Sequence, residues 1–134
     1  MISTKLKNIL ILTMLLVAAH AIEENIAGFY AKDLFIQYPS VYFNSIPQTF
    51  YWTSHIMWWL MILIGFFLIL GGKWTLRILT LFGSVYFFEL HHVIKGILAG
   101  QYYPGMLTGA IYPFVGFFYW KELIKNFKGG EING

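Results

Sequence analysis

The sequence predicts an all-α integral membrane protein, a four-helix transmembrane bundle with both termini in the cytoplasm, and three observations carry that prediction. Apolar residues make up 58% of the 134 residues and charged ones only 11%, against about 45–50% and about 25% in soluble domains. The apolar residues fall into four stretches, about 6–24, 51–71, 74–99 and 104–121, each near the roughly 20 residues that a helix needs to cross a bilayer. With the N-terminus inside, the cytoplasmic segments hold Lys5, Lys7, Lys73, Arg77, Lys121, Lys125 and Lys128, and the outer segments hold only Lys32 and Lys95. Basic residues gather on the cytoplasmic side of spans, which sets the orientation. One membrane domain covers residues 1–134. The net charge of +3 is small and spread by topology, so the partner it implies is membrane lipid and not nucleic acid. There is no cysteine, which excludes disulfides, thiolate metal sites and cysteine nucleophiles.

The first element has two readings. Lys5 and Lys7 precede the apolar run from Ile9 to Ala19, and Ala19-His20-Ala21 has the small-x-small form of a signal-peptidase site. Cleavage there would remove His20 and leave three spans. The other reading is a retained helix over about 6–24, ending in Glu23 and Glu24. Residues 25–50 are rich in aromatics but carry Lys32, Asp33, Pro39 and Pro47. That segment is too polar and too broken to span, and its rings suit a loop or short helix on the membrane interface.

The second helix, 51–71, stops at Gly71-Gly72 and has His55 as its one strongly polar side chain. The third, 74–99, is apolar for four turns and then carries Glu89, His91, His92 and Lys95. Lys95 is expected to snorkel to the outer surface. Pro104 opens the fourth helix, 104–121, after a Gly-Gln-Tyr-Tyr turn, and Gly105 completes the turn; neither needs a further role. Residues 122–134 read as a polar tail.

This topology puts His20, Glu23, Glu24, His55, Glu89, His91 and His92 at one membrane depth, on the extracytoplasmic side. All four histidines and three of the six acids are there. His20 precedes Glu24 by four residues and Glu89 precedes His92 by three, so each pair shares a helix face. Facing helices build metal sites from such pairs. Imidazole and carboxylate without thiolate suit a divalent ion such as zinc or iron, one or two of them. His91 and His92 point about 100° apart, so one of them faces the site.

Two parts of the chain resemble the signatures of a known family. His20-Ala21-Ile22-Glu23-Glu24 fits the pattern for which the HXXEE family is named. His92 followed by Tyr102-Tyr103-Pro104-Gly105-Met106-Leu107-Thr108 is similar to its second signature, a histidine about ten residues before Tyr-x-Pro-Gly-x-x-Thr. The resemblance runs from about Leu6 to Leu123. It implies a small multi-span membrane protein whose family function is not established, and it implies that the first helix is retained, since the defining histidine would not sit in a discarded signal.

The expected function is a metal-dependent enzyme embedded in the cell membrane, acting on a lipid or other apolar substrate by hydrolysis or by di-metal oxygenation. His20, Glu23, Glu24 and His92 are the principal ligand candidates, with His55, Glu89 and His91 behind them. Glu23 or Glu24 would act as general base, and Tyr102, Tyr103 and Thr108 would position the substrate. The rival expectation is a non-catalytic transporter subunit or assembly factor, in which the same groups form an interhelical hydrogen-bond network.

Overall fold

A computed structural model describes residues 2–131, and among these the chain is helix and connecting turns with no strand. Helix α1 (Thr4–Ile26) has 23 residues and is capped by Ser3, whose hydroxyl accepts from the Leu6 amide at 3.2 Å. Two short helices follow, α2 (Phe29–Lys32) and α3 (Leu34–Tyr42). Asp33 joins them, its side chain accepting from the Phe35 amide at 2.9 Å. Helices α4 (Pro47–Ser54) and α5 (Ile56–Leu70) form one run interrupted at His55, whose backbone is extended at φ −65°, ψ 96°. Thr53 and Ser54 both turn their hydroxyls back on the preceding turn, onto Thr49 and Phe50 carbonyls, and such back-bonding bends helices. The Trp59 indole N–H takes up the Thr53 carbonyl freed by the break.

The last half of the chain forms α6 (Trp74–Gly83), α7 (Val85–Phe88), α8 (Leu90–Ala99), α9 (Met106–Gly109) and α10 (Tyr112–Glu131). Ser84 and Glu89, which separate α6, α7 and α8, keep right-handed helical angles, so the three continue one another in direction.

Two helices are long and apolar enough to cross a membrane, Thr4–Ile26 and Pro47–Leu70. Among the described residues the structure thus bears out the all-helical class and two such helices, not the full count of four. The stretch expected as one helix over 74–99 is divided at Ser84 and Glu89. The helix expected at 104–121 begins in earnest at Tyr112 and runs to Glu131, so the part of the expected tail up to that residue is helical; residues 132–134 lie outside the described residues. The reason is visible in the polar residues of α10. Glu122 bonds Lys5 at 3.2 Å and Lys125 at 3.1 Å, and Asn126 accepts from the Ser3 amide at 2.7 Å. Contacts with α1 hold the helix together where composition alone suggested a tail.

Those contacts also make α1 and α10 antiparallel neighbours. The core between them and α6–α7 holds Leu6, Leu10, Val17, Phe82, Val85, Tyr86, Tyr112, Tyr119 and Leu123, none more than 2% exposed. Close approach depends on Gly116, where a Cβ would lie 2.7 Å from the Tyr86 side chain. Two buried hydroxyls are paired across helices, Thr13 with Tyr86 and Tyr119 with the Leu79 carbonyl. Helix α5 packs against α6, and α3 against α4. The opposite end of the α1–α10 pair carries the candidate site.

Candidate metal centre

Helix periodicity brings His20 and Glu24 to one face of α1, and the same logic brings Glu89, at the α7–α8 junction, beside His92 in the first turn of α8. In the fold these two faces meet. His20 Nε2 lies 2.8 Å from Glu89 Oε2 and 3.7 Å from Glu24 Oε1, and His92 Nε2 lies 3.1 Å from Glu24 Oε1 and 3.2 Å from Glu89 Oε2. All four side chains are buried. Ligand atoms of His20, Glu89 and His92 fall within 4.8 Å of one another, a group that could hold a metal ion.

The far nitrogens of both rings are already engaged. His92 Nδ1 is 2.6 Å from the Pro104 carbonyl, and a carbonyl only accepts, so the proton sits on Nδ1. His20 Nδ1 is 2.6 Å from the Thr108 hydroxyl. That hydroxyl donates its one proton to Glu23 Oε2, so it accepts from Nδ1–H of His20. In the neutral tautomers thus selected, both Nε2 atoms direct lone pairs at the carboxylates of Glu24 and Glu89. Lone pairs facing anions in a buried place are unfavourable unless a cation lies between, either a second proton on each ring or a metal ion. His20 Nε2 in particular is buried and has no hydrogen-bond partner among the described residues. The donor set therefore fits a divalent ion: two imidazoles oriented by an acceptor behind each ring, as ligating histidines are, and two carboxylates to balance its charge.

Glu23 is not part of that inner group. Its oxygens accept from the Leu107 amide (3.0 Å), the Thr108 amide (2.9 Å), the Thr108 hydroxyl and the Tyr102 phenol (2.7 Å). It holds the turn that opens α9 and, through Thr108, the tautomer of His20. The adjacent glutamates thus have different work: Glu24 faces the imidazoles, and Glu23 faces the Pro-Gly-x-x-Thr turn. Gly105 lies against both rings, where a Cβ would come within 2.7 Å of His20 and 2.8 Å of His92, and its φ of +83° is one that other residues rarely adopt. Pro104 and Gly105 therefore do more than shape the turn, contrary to the sequence expectation; one fixes His92 by its carbonyl, the other admits the rings.

His55 and His91 are not brought into the group. The His55 ring is half-buried at the α4–α5 break and packs 5.0 Å from Tyr51. His91 turns its Nδ1 to the Phe88 carbonyl (2.7 Å), and its ring lies beside that of His92, tilted by 48° with centroids 3.8 Å apart. Tyr51 was missed by sequence reasoning. Its hydroxyl donates to Glu24 Oε2 at 2.5 Å, and nothing about an aromatic at a helix start signals that. Tyr112, packed edge-on to His20 at 5.4 Å, was missed likewise.

Above the group lies α2. Phe29 is buried and packs on His92 (5.1 Å), Tyr51 (6.0 Å) and Tyr103 (6.2 Å). Asp33, just beyond α2, accepts from Lys95 Nζ and, at 2.7 Å, from the Tyr103 phenol. Lys95 thus makes an ion pair instead of only snorkelling. Burial opposes ionisation of Asp33, but the Lys95, Tyr103 and Phe35 donors outweigh it and hold its carboxyl below the ordinary value. Burial and the Glu23 carboxylate push the Tyr102 phenol up to about 12, and burial and Asp33 push Tyr103 up as well. Between these tyrosines and the lysines is a cavity of about 490 Å³ lined by Lys32, Lys95, Gln101, Tyr102, Tyr103 and Pro104. Pro104 belongs to both the cavity wall and the support of His92.

The profile of a family described as "protein of unknown function with HXXEE motif" matches residues 11–119. The match covers most of the chain and both halves of the site, from His20 to Thr108. No curated protein and no solved structure matches the chain. The chain belongs to the HXXEE family.

Proposed function

Starting from this family membership, we propose that the protein is a multi-pass membrane enzyme that binds one divalent metal ion, zinc or iron, between His20, Glu24, Glu89 and His92, and acts on a lipid-like substrate. The observation that carries the proposal is the pair of buried Nε2 atoms aimed at two buried carboxylates, with both Nδ1 positions tied to acceptors. One ion is favoured over two because Glu89 Oε2 is shared by both rings at 2.8 and 3.2 Å, which defines a single point of convergence. That geometry argues for the hydrolytic version of the expected chemistry over the di-metal one.

A bound divalent ion would lower the pKa of a coordinated water to about 7. The chain's own residues set up the rest. Glu23 is saturated by its four donors and positions His20; it is not free to move a proton. Glu24 would face the ion with the oxygen nearest the rings and take the general-base role with its second oxygen, where Tyr51 is its one donor among the described residues. Tyr102 and Tyr103 form the wall of the 490 Å³ cavity, where Lys32 would meet an anionic headgroup. Support for the membrane setting comes from the outward faces. On α5, Ile56, Trp59, Ile62, Phe66 and Ile69 form a stripe, each more than half exposed, which water disfavours and lipid accepts. With the seven-to-two distribution of basic residues, this supports four membrane passes, both termini inside and the site on the outer side.

The test is metal analysis of detergent-purified protein beside a His20→Ala/His92→Ala variant. About one ion per chain in the wild type and none in the variant is the expected result. Wild-type protein without stoichiometric metal, and with no uptake of added Zn²⁺ or Fe²⁺, overturns the proposal. That outcome would favour the second reading, an interhelical network in which both rings are doubly protonated, since the same 2.8–3.2 Å separations suit imidazolium donors.

A further inference from the structure

At the end of the molecule opposite the candidate metal centre, a cavity of about 810 Å³ lies between the α1–α10 pair and the α5–α6 hairpin. Its wall is of two kinds. Ile2, Leu68 and Leu76 supply an apolar side, and Lys7 and Lys125 supply a basic one. Ser3, Thr75 and Asn126 add hydrogen-bonding groups between them. Glu122 also faces the cavity, but its carboxylate is engaged by Lys5 from outside and Lys125 from within. Counting Lys5, the four charged groups sum to +2. The Lys7 ammonium has no hydrogen bond or ion pair among the described residues and the residue is exposed, so its charge is open to a ligand.

An apolar wall beside a basic one is the chemistry of an amphiphile with a negative head. The volume lies within the range of small-molecule sites, about 300–1,000 Å³. The location restricts the ligand further. The proposed topology puts this end at the cytoplasmic leaflet, where anionic lipids concentrate and where basic pockets between helices take their headgroups. We infer that this cavity is a binding site for an anionic phospholipid of the inner leaflet, with the phosphate between Lys7 and Lys125 and the glycerol end of the acyl chains against Ile2, Leu68 and Leu76. The inference rests on the proposed membrane orientation but not on the metal centre, which lies at the other end of α1.

Native mass spectrometry of the intact protein in detergent tests it, with dioleoyl phosphatidylglycerol, dioleoyl phosphatidylcholine or inorganic phosphate added in turn. The expected result is one retained phosphatidylglycerol per chain, no comparable retention of phosphatidylcholine and no competition by millimolar phosphate. Affinity for phosphatidylglycerol should fall about thirtyfold in a Lys7→Gln/Lys125→Gln variant, and not in a Lys121→Gln/Lys128→Gln control. Because Lys125 also bonds Glu122, a Leu76→Trp variant is included, which fills the cavity without altering charge and should block the lipid as well. Metal content, read on the same samples, reports whether the variants are folded and whether the other site stands or falls separately. Equal retention of both lipids, displacement by inorganic phosphate, or unchanged affinity in both the lysine and the tryptophan variants each overturns the inference.

Discussion

The two ends of the α1–α10 pair use similar residues in opposite ways. At one end Glu122 sits between Lys5 and Lys125, and Asn126 and Ser3 exchange hydrogen bonds. Glu122 there has a counter-charge on each side, and both of those lysines are more than half exposed. At the other end Glu24 and Glu89 are buried together, and among the described residues no Lys or Arg forms an ion pair with them; Lys95 pairs instead with Asp33. What faces them is imidazole nitrogen whose own protons are spent on Thr108 and Pro104. An exposed pair contributes about 0–1 kcal/mol, whereas each uncompensated buried ion costs several. The first end is therefore an ordinary clasp between helices. The second gathers buried carboxylates around imidazole nitrogens and needs charge balance from protons or a bound ion, and that demand sets it apart from the first.

The sharpest way to break the comparison is to remove one carboxylate from each end. Glu89→Gln removes the negative charge of the carboxylate shared by both rings and one of its two oxygens, and metal affinity should fall by more than about a thousandfold, since charge balance is lost and the ligand is weakened. Glu122→Gln should leave metal content at the wild-type level. Isothermal titration with Zn²⁺ on metal-stripped protein reads both. Equal effects at the two ends would mean that the outer cluster is a clasp as well.

A smaller effect is expected from the residues behind the ligands. Glu23→Gln weakens the acceptor that holds the Thr108 hydroxyl, and Thr108→Val removes the acceptor of His20 Nδ1–H altogether. Either should lower metal affinity about 10–100-fold while the ligands remain. Glu23→Gln combined with Thr108→Val should do little more than Thr108→Val alone, because both act through one chain of hydrogen bonds. Full additivity would show that Glu23 acts on the site by some route other than Thr108.

The same contrast marks how far the sequence could be read. His20 with Glu24 and Glu89 with His92 were legible because helical periods of three and four residues fix which side chains share a face. The division of labour between Glu23 and Glu24 was not legible, because a rotation of about 100° is known from the period but its partner is set by tertiary packing. His92 rather than His91 faces the site for the same reason. Pro104 acts through a backbone carbonyl, which every residue has, so no side-chain pattern could reveal it. Tyr51 reaches Glu24 from another helix with no local signal. In the fold, the apolar runs predicted α1 and the α4–α5 run well. The break at His55 and the continuation of α10 to Glu131 depended on Thr53 and Ser54 back-bonding and on the Lys5–Glu122–Asn126 contacts, neither of which is a property of composition.

The smallest effect concerns the cover over the site and the Asp33–Lys95 ion pair on that side. Asp33 ties the end of α2 to α8 through Lys95 and to the following turn through Tyr103, and so keeps Phe29 on His92. Its carboxyl is held below the ordinary value near 3.8. A depressed folded value means that the stabilisation is complete above the unfolded value and is lost as pH falls through the folded one. The tie should thus be intact at pH 5 and above, and weaken only below about pH 4. Asp33→Asn should mimic the acid state at neutral pH, at a cost of about 1–2 kcal/mol, and should speed amide exchange in residues 28–33 while exchange at the Lys5–Glu122 end is unchanged. If the two ends loosened together, the clasp and the cover would be parts of one cooperative unit. If only residues 28–33 loosened, with metal affinity kept within a few fold, α2 would be a cover that opens without dismantling the ligands beneath it.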